Sequence, residues 1–185
     1  MDGAGLIARL PRARGRLEAM RPLAPLAWLR VGGPAEVLFR PADAEDLAAV
    51  LAGTPGEVAV TPLGLLSNMI VRDGGLPGLS VRLGGRGFAG AEALGGGRMR
   101  FGAALPDARA AEAAAEAGVA GLEFLRTIPG ALGGAVRMNA GCYGSYLSEV
   151  FEGAEGVTRG GARVTLGRRD VRFGYPTATP AGDGR

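Results

Sequence analysis

The chain has 185 residues, with 21 Lys or Arg, 18 Asp or Glu, one cysteine and no histidine. That length holds one domain or two small lobes, and the inventory excludes disulfide frameworks, zinc sites and His-based catalytic triads. Arginine alone carries the net charge of +3, and the absence of a basic stripe interleaved with aromatics argues against nucleic-acid binding.

Leu6, Ile7, Leu10 and Leu17, set among arginines, predict a helical N-terminal extension over residues 1–20. Pro22 and Pro25 force an extended connection. After the Gly32-Gly33-Pro34 turn, Glu36 to Arg40 reads as a strand. Asp43 is suited to cap a helix over Ala44 to Leu51, closed by Gly53, and Val58 to Leu63 is the next strand. These three form a β-α-β unit. Met69 to Val71, Leu79 to Leu83 and Arg98 to Ala103 read as further strands. Asp107 caps an alanine helix that ends at Gly118, and Leu122 to Thr127 forms a helical turn. Phe151 to Thr158 and Arg163 to Leu166 flank a Gly160-Gly161 hairpin turn. From Pro176 to Arg185 no apolar residue exceeds alanine, so this tail is expected to be unstructured. No apolar run approaches the roughly 20 residues of a membrane span, no secretory leader is visible, and a cytoplasmic protein is expected.

The 34 glycines sit in pairs between apolar segments, a pattern of tight turns and close backbone approaches. Gly85-Arg86-Gly87-Phe88-Ala89-Gly90 has the spacing of a dinucleotide fingerprint. The helix that must follow is interrupted at Gly95-Gly96-Gly97, so a surface loop is the better account. Gly64-Leu65-Leu66-Ser67-Asn68 directly follows a strand. Its N–H groups, hydroxyl and amide suit a diphosphate; an ordinary polar turn is the equal alternative. Pro129 to Gly144 is rich in glycine yet carries Leu132, Val136 and Met138. Such a segment lies against a flat or charged ligand, or serves a glycine-mediated helix packing. Cys142 reads as a small buried residue, Trp28 as packing, and Glu123 with Arg126 as a surface pair. Tyr143 and Tyr175 are either hydrogen-bonding groups of a site or half-buried core.

The run Gly121-Leu122-Glu123-Phe124-Leu125-Arg126-Thr127-Ile128-Pro129-Gly130-Ala131-Leu132-Gly133-Gly134-Ala135-Val136-Arg137-Met138-Asn139-Ala140-Gly141-Cys142-Tyr143-Gly144 resembles the signature of the UDP-N-acetylenolpyruvoylglucosamine reductase (UDP-N-acetylmuramate dehydrogenase) family. Trp28 to Ala35, Ser67 to Gly75 and Phe173-Gly174-Tyr175 follow in the family's order and spacing. The resemblance implies an α+β FAD-binding domain of the vanillyl-alcohol-oxidase (PCMH) type. It would span residues 21–175, as lobes of about 21–65 and 66–175. It further implies NADPH as hydride donor, a UDP-sugar substrate, no metal, and a role in peptidoglycan synthesis and hence in cell shape and division. By that resemblance Gly64, Leu65, Leu66, Ser67 and Asn68 hold the FAD diphosphate. Pro129, Gly130, Gly133, Gly134, Asn139, Gly141 and Tyr143 line the flavin, and Tyr175 meets the substrate.

The chain departs from the family pattern at three places. Leu66 stands where the diphosphate turn has glycine, so a side chain is expected where backbone should approach phosphate. Pro176 stands where the family has an arginine that stabilises the substrate's developing charge. The C-terminal substrate domain, with its proton-donating serine and catalytic glutamate, is expected to be missing. One lost base in CGC CAC AGC GAC gives Pro-Thr-Ala-Thr, so a frameshift just after Tyr175, real or a sequencing error, is the expectation for the last two. A non-catalytic flavin- or nucleotide-binding module, or a gene remnant, is the alternative reading.

Overall fold

The computed structural model describes residues 1–174 and 177–180. Tyr175, Pro176 and the last five residues lie outside them, and with them the expected substrate contact of Tyr175. The chain divides into two units, Met1–Gly87 with Val157–Arg163, and Phe88–Gly156 with Val164–Arg185. The division falls at Gly87 rather than near residue 65. No helix among the described residues is long and apolar enough to cross a membrane.

The first unit is a four-stranded sheet in the order β1-β2-β4-β3. The expected helix over residues 1–20 is instead α1 (Gly3–Arg9) followed by strand β1 (Arg16–Pro22). Asp2 caps α1 by accepting the Gly5 N–H at 3.0 Å, and Pro11 cannot continue it. β1 exists because it pairs antiparallel with β2 (Pro34–Arg40), a partner outside its own sequence window. β2, β4 (Leu76–Arg82) and β3 (Val60–Leu63) run parallel. α2 (Ala44–Gly53) starts where Asp43 accepts the Asp46 N–H at 2.9 Å. One face of the sheet buries Val37, Phe39, Leu79 and Val81 with Leu6, Leu10 and Val50. The other buries Leu38 and Leu63 with Leu23, Leu66 and Val71. Met69 to Val71 is not a strand, and Trp28, at 61% exposure, is a surface residue rather than core packing.

Two polar groups tie the first unit together. Asp46, almost wholly buried, accepts the N–H groups of Arg14, Gly15 and Ala42 at 2.8, 2.8 and 2.9 Å. Arg159, in the loop between β9 (Gly153–Val157) and β10 (Arg163–Gly167), donates to the carbonyls of Leu51, Thr54, Pro55 and Val58. One guanidinium thereby binds the end of α2 to the segment that follows it, adding a second donor to the Leu51 and Pro55 carbonyls, which already accept the Thr54 and Val58 N–H groups.

The second unit opens with a β5–β6 hairpin (Ala91–Gly95, Arg98–Phe101), so a strand follows the Gly85–Gly90 loop rather than a helix. α3 (Asp107–Glu116), a 3-10 turn (Glu123–Thr127) and α4 (Leu132–Met138) surround a core of Ala110, Phe124, Leu125, Leu132, Ala135 and Leu147. Glu123 and Arg126 do not pair with each other. Glu123 accepts the Gly121 N–H at 2.9 Å, and Arg126 lies 3.5 Å from Glu112. After the short β7–β8 hairpin (Gly141–Cys142, Ser145–Tyr146) comes α5 (Leu147–Val150). β11 (Val171–Phe173) then pairs antiparallel with β12 (Ala178–Pro180). The expectation of an unstructured tail fails there. Ala178 is buried, and its carbonyl accepts from Arg137 at 2.7 Å, so a small side chain packs where sequence composition offered no core.

Burial works to raise the pKa of Asp46, but its three backbone donors outweigh that and hold it below the usual carboxylate value. Asp46→Asn should destabilise the first unit by about 2–3 kcal/mol at pH 7. In urea denaturation the gap between the two proteins should close as pH falls through the depressed pKa, where the carboxylate's contribution is lost.

Candidate functional site

The turn Gly64–Asn68 leaves the carboxyl end of β3. Gly64 is exposed, and a Cβ there would meet nothing within 4 Å. Leu66 has φ +54°, a left-handed conformation that costs a non-glycine residue roughly 1–2 kcal/mol. The reversal turns its side chain inward, where it is 5% exposed beside Leu23, Leu38, Leu63 and Val71. The expected obstruction is therefore absent: burial of the leucine offsets the backbone strain, and the backbone face of the turn stays clear. The N–H groups of Leu65, Leu66, Ser67 and Asn68 donate to no acceptor among the described residues. Four successive unpartnered donors are left available to an acceptor outside the described residues.

The Pro129–Tyr143 segment of the second unit is built differently. Most of its glycines have intrachain reasons. A Cβ at Gly130 would collide with the Asp107 carboxylate, one at Gly141 with the Tyr146 ring, and one at Gly133 would stand 3.1 Å from the Ala103 carbonyl. The N–H groups of Leu132 and Gly133 already donate to Leu105 and Ala103, at 3.0 and 2.8 Å. Asn139 ends α4 in the left-handed conformation with φ +46°, and its side-chain oxygen accepts the Ser148 N–H at 3.0 Å. Close packing of α4 on the turn at Ala103 thus accounts for Gly133. Gly134 is different: it is exposed, and a Cβ there meets nothing within 4 Å. Pro129 is exposed as well. Tyr143 and Gly144 both have positive φ, +55° and +85°, the geometry of a type I′ hairpin turn. That turn holds the Tyr143 ring 82% exposed, so it is not half-buried core. Cys142 is half-buried, 3.6 Å from the Thr127 hydroxyl.

Sequence reasoning missed the role of Asp107. It is the first residue of α3 rather than its cap, and it is fully buried with neither carboxylate oxygen hydrogen-bonded. Its own N–H donates to Gly130 at 3.0 Å. Burial pushes its pKa up to about 7. An aspartate at a helix start is read as a cap from sequence alone, and only the packing of Gly130 shows otherwise.

The open backbone turn after a parallel strand of the first unit suits a diphosphate, and the chain has the α+β fold of a flavin-dinucleotide-binding domain of the vanillyl-alcohol-oxidase type. The chain belongs to the FAD binding domain family, which matches residues 35–167. It is 54% identical over 172 residues to the UDP-N-acetylenolpyruvoylglucosamine reductase of Parvibaculum lavamentivorans, a match that covers 93% of this chain and 55% of the relative. To that of Roseobacter denitrificans it is 54% identical over 175 residues, covering 95% and 56%. The chain thus spans about half the length of the curated relatives it matches. Among solved structures it is similar to the UDP-N-acetylenolpyruvylglucosamine reductase of Thermus caldophilus, with TM-score 0.73, 32% identity, and coverage of 90% of this chain and 57% of that one. It shares its fold with 6-hydroxy-D-nicotine oxidase of Arthrobacter nicotinovorans, with TM-score 0.62, 17% identity, and coverage of 86% and 37%.

Because the folded-state pKa of Asp107 is raised, its contribution to stability is full below the unfolded value near 4. It is lost as pH rises toward about 7. Asp107→Asn should flatten the pH dependence of the second unit over that window and stabilise it at pH 8, read as melting temperature against pH.

Proposed function

We propose that this chain is the FAD-holding part of a UDP-N-acetylenolpyruvoylglucosamine reductase. The reaction is the NADPH-dependent reduction of UDP-N-acetylglucosamine enolpyruvate to UDP-N-acetylmuramate, in cytoplasmic peptidoglycan synthesis that serves cell shape and division. The reading is supported by 54% identity over nearly the whole chain. The structural observation that carries it is the row of four unpartnered N–H groups, kept clear by the inward turn of Leu66.

The N–H groups of Leu65 to Asn68 donate to the diphosphate oxygens, and the Ser67 hydroxyl and Asn68 amide add polar contacts. Gly134 exposes the backbone of α4, so a flat ring can lie against it without a side chain between. Pro129, Gly130, Gly133, Asn139, Gly141 and Tyr143 shape that surface, most of them by fixing the loop rather than by touching the ring. FAD held there would supply the hydride chemistry that links NADPH to the enolpyruvyl group. Tyr175 is assigned to the substrate. Pro176 offers no charge where the family pattern has arginine, so turnover by this chain is expected to be negligible. That same residue favours the second reading, a non-catalytic flavin-binding module.

Titration of the purified chain with FAD, followed by flavin fluorescence, tests the first point. Saturable binding is expected, and a chain that takes up no flavin overturns the proposal. NADPH oxidation dependent on the enolpyruvyl UDP-sugar would overturn the predicted inactivity. Gly134→Ala should stabilise α4 by about 0.5–1 kcal/mol while weakening FAD binding at least tenfold. Leu66→Gly should leave FAD affinity within about threefold of the original. It should destabilise the first unit by about 1–3 kcal/mol, the cavity cost exceeding the strain relieved.

A further inference from the structure

Across the carboxyl end of the first unit's sheet, one row of side chains lies on the face that also carries Leu38 and Leu63. Arg16 is opposite Arg40, and Arg82 is opposite Leu63. Arg40 and Arg82 follow directly on the Phe39–Val81 pair. In the strand order β1-β2-β4-β3 the row therefore reads Arg16, Arg40, Arg82, Leu63. Neighbouring strands lie about 4.8 Å apart, so these guanidinium stems stand side by side. Arg21 joins them through Glu18, which it meets at 3.5 Å.

The charges of this row are not balanced. Glu18, with its side chain 13% exposed, faces Arg16, Arg21 and Arg40 at 3.4, 3.5 and 3.5 Å. None of these contacts is a hydrogen bond, and the Nε atoms of Arg21 and Arg40 are buried without an acceptor. Arg82 is half-buried and has no ion-pair or hydrogen-bonding partner among the described residues. Its pKa is lowered by burial and then by the nearby positive charges of Arg40 and Arg21. Three partly exposed guanidinium groups share the Glu18 carboxylate and Arg82 beside them has none, so like charges are gathered at a cost that a bound anion would offset. Leu63, the neighbour of Arg82, is the last residue before the Gly64–Asn68 turn with its four open N–H groups. Carboxyl ends of parallel strands are where such sheets take their ligands.

We propose that Arg82, backed by Arg40 and Arg21, is the cationic arm of a diphosphate site whose neutral arm is the Gly64–Asn68 turn. The inference rests on the reading that this turn holds the diphosphate of FAD. A planar guanidinium donates two parallel bonds to phosphate oxygens, which a single ammonium cannot match. The turn fixes the position of the anion, and the arginine row supplies the charge that four neutral N–H groups lack.

Inorganic pyrophosphate and FAD, added separately to the full chain, test this through the melting temperature and flavin fluorescence. Pyrophosphate should raise the melting temperature of the original protein. Arg82→Gln should abolish that rise and weaken FAD binding at least tenfold, while Arg82→Lys keeps part of both. Without ligand, Arg82→Gln should melt at or above the original temperature, since it relieves repulsion; a purely structural arginine would lower it. If pyrophosphate gives no rise, or gives the same rise in Arg82→Gln, the arginine site is overturned whatever FAD does. A pyrophosphate effect that depends on Arg82, in a protein that takes up no FAD, overturns the flavin reading and leaves the anion site standing.

Discussion

β2 and β4 lie side by side in parallel, and two parallel strands cannot be joined by a tight turn. The chain must leave the sheet and return, and it does so through α2, β3 and the Gly64–Asn68 turn. Because both faces of this pair are covered, its central residues are mostly apolar, and Leu38, Phe39 and Leu79 are fully buried together with Ser80. At their carboxyl ends the two strands carry Arg40 and Arg82, while Glu36 near the start of β2 is occupied by the Asp2 and Gly78 N–H groups. The position of the turn after β3 follows from the same pairing. So does the conformation of Leu66, since the core under that face draws the leucine inward and leaves the backbone outward.

The second unit solves a harder packing problem with smaller side chains. Ala110, Ala111 and Ala135 bring helices close around Phe124 and Leu125. Close approach explains why glycine recurs at Gly130, Gly133 and Gly141, each pressed against a neighbour. One consequence is that a glycine-rich signature does not map one to one onto ligand contacts. Much of it shapes the loop, and only a residue with open space beside it, such as Gly134, is free to face a bound ring. Asp107 is the polar exception in this interior, and the phenylalanine pair Phe151 and Phe173 packs edge to face at 5.2 Å outside it.

Features written in local chemistry were legible in the sequence. The start of α2 is fixed by Asp43, and the 3-10 turn before Ile128 by its helical turn of apolar residues and the Pro129 stop. The family pattern around Pro129 to Gly144 identified the cofactor. What escaped was decided by distant partners. β1 carries the apolar spacing of a helix and becomes a strand because β2 accepts it. α4 contains Gly133-Gly134, poor helix formers, and forms because Gly133 seats on Ala103. Leu66 looked like an obstruction because a sequence shows that a side chain exists, but not which way a left-handed backbone turns it. Arg82 stood out in no motif, since a lone arginine at a strand end gains meaning only from Arg40 on the next strand.

Arg159 has a consequence for how the protein is made. The segment from the end of α2 to Val58 is held by an arginine that is synthesised only after most of the second unit. As the chain emerges during synthesis, the first unit holds its sheet but lacks its last polar closure until Val157–Arg163 arrives. The long intervening segment adds only a slowly growing closure entropy, yet it imposes an order of events. The two units cannot mature as independent beads on a string; the first receives its closing segment while the second is still being made, since Val164–Arg185 follows.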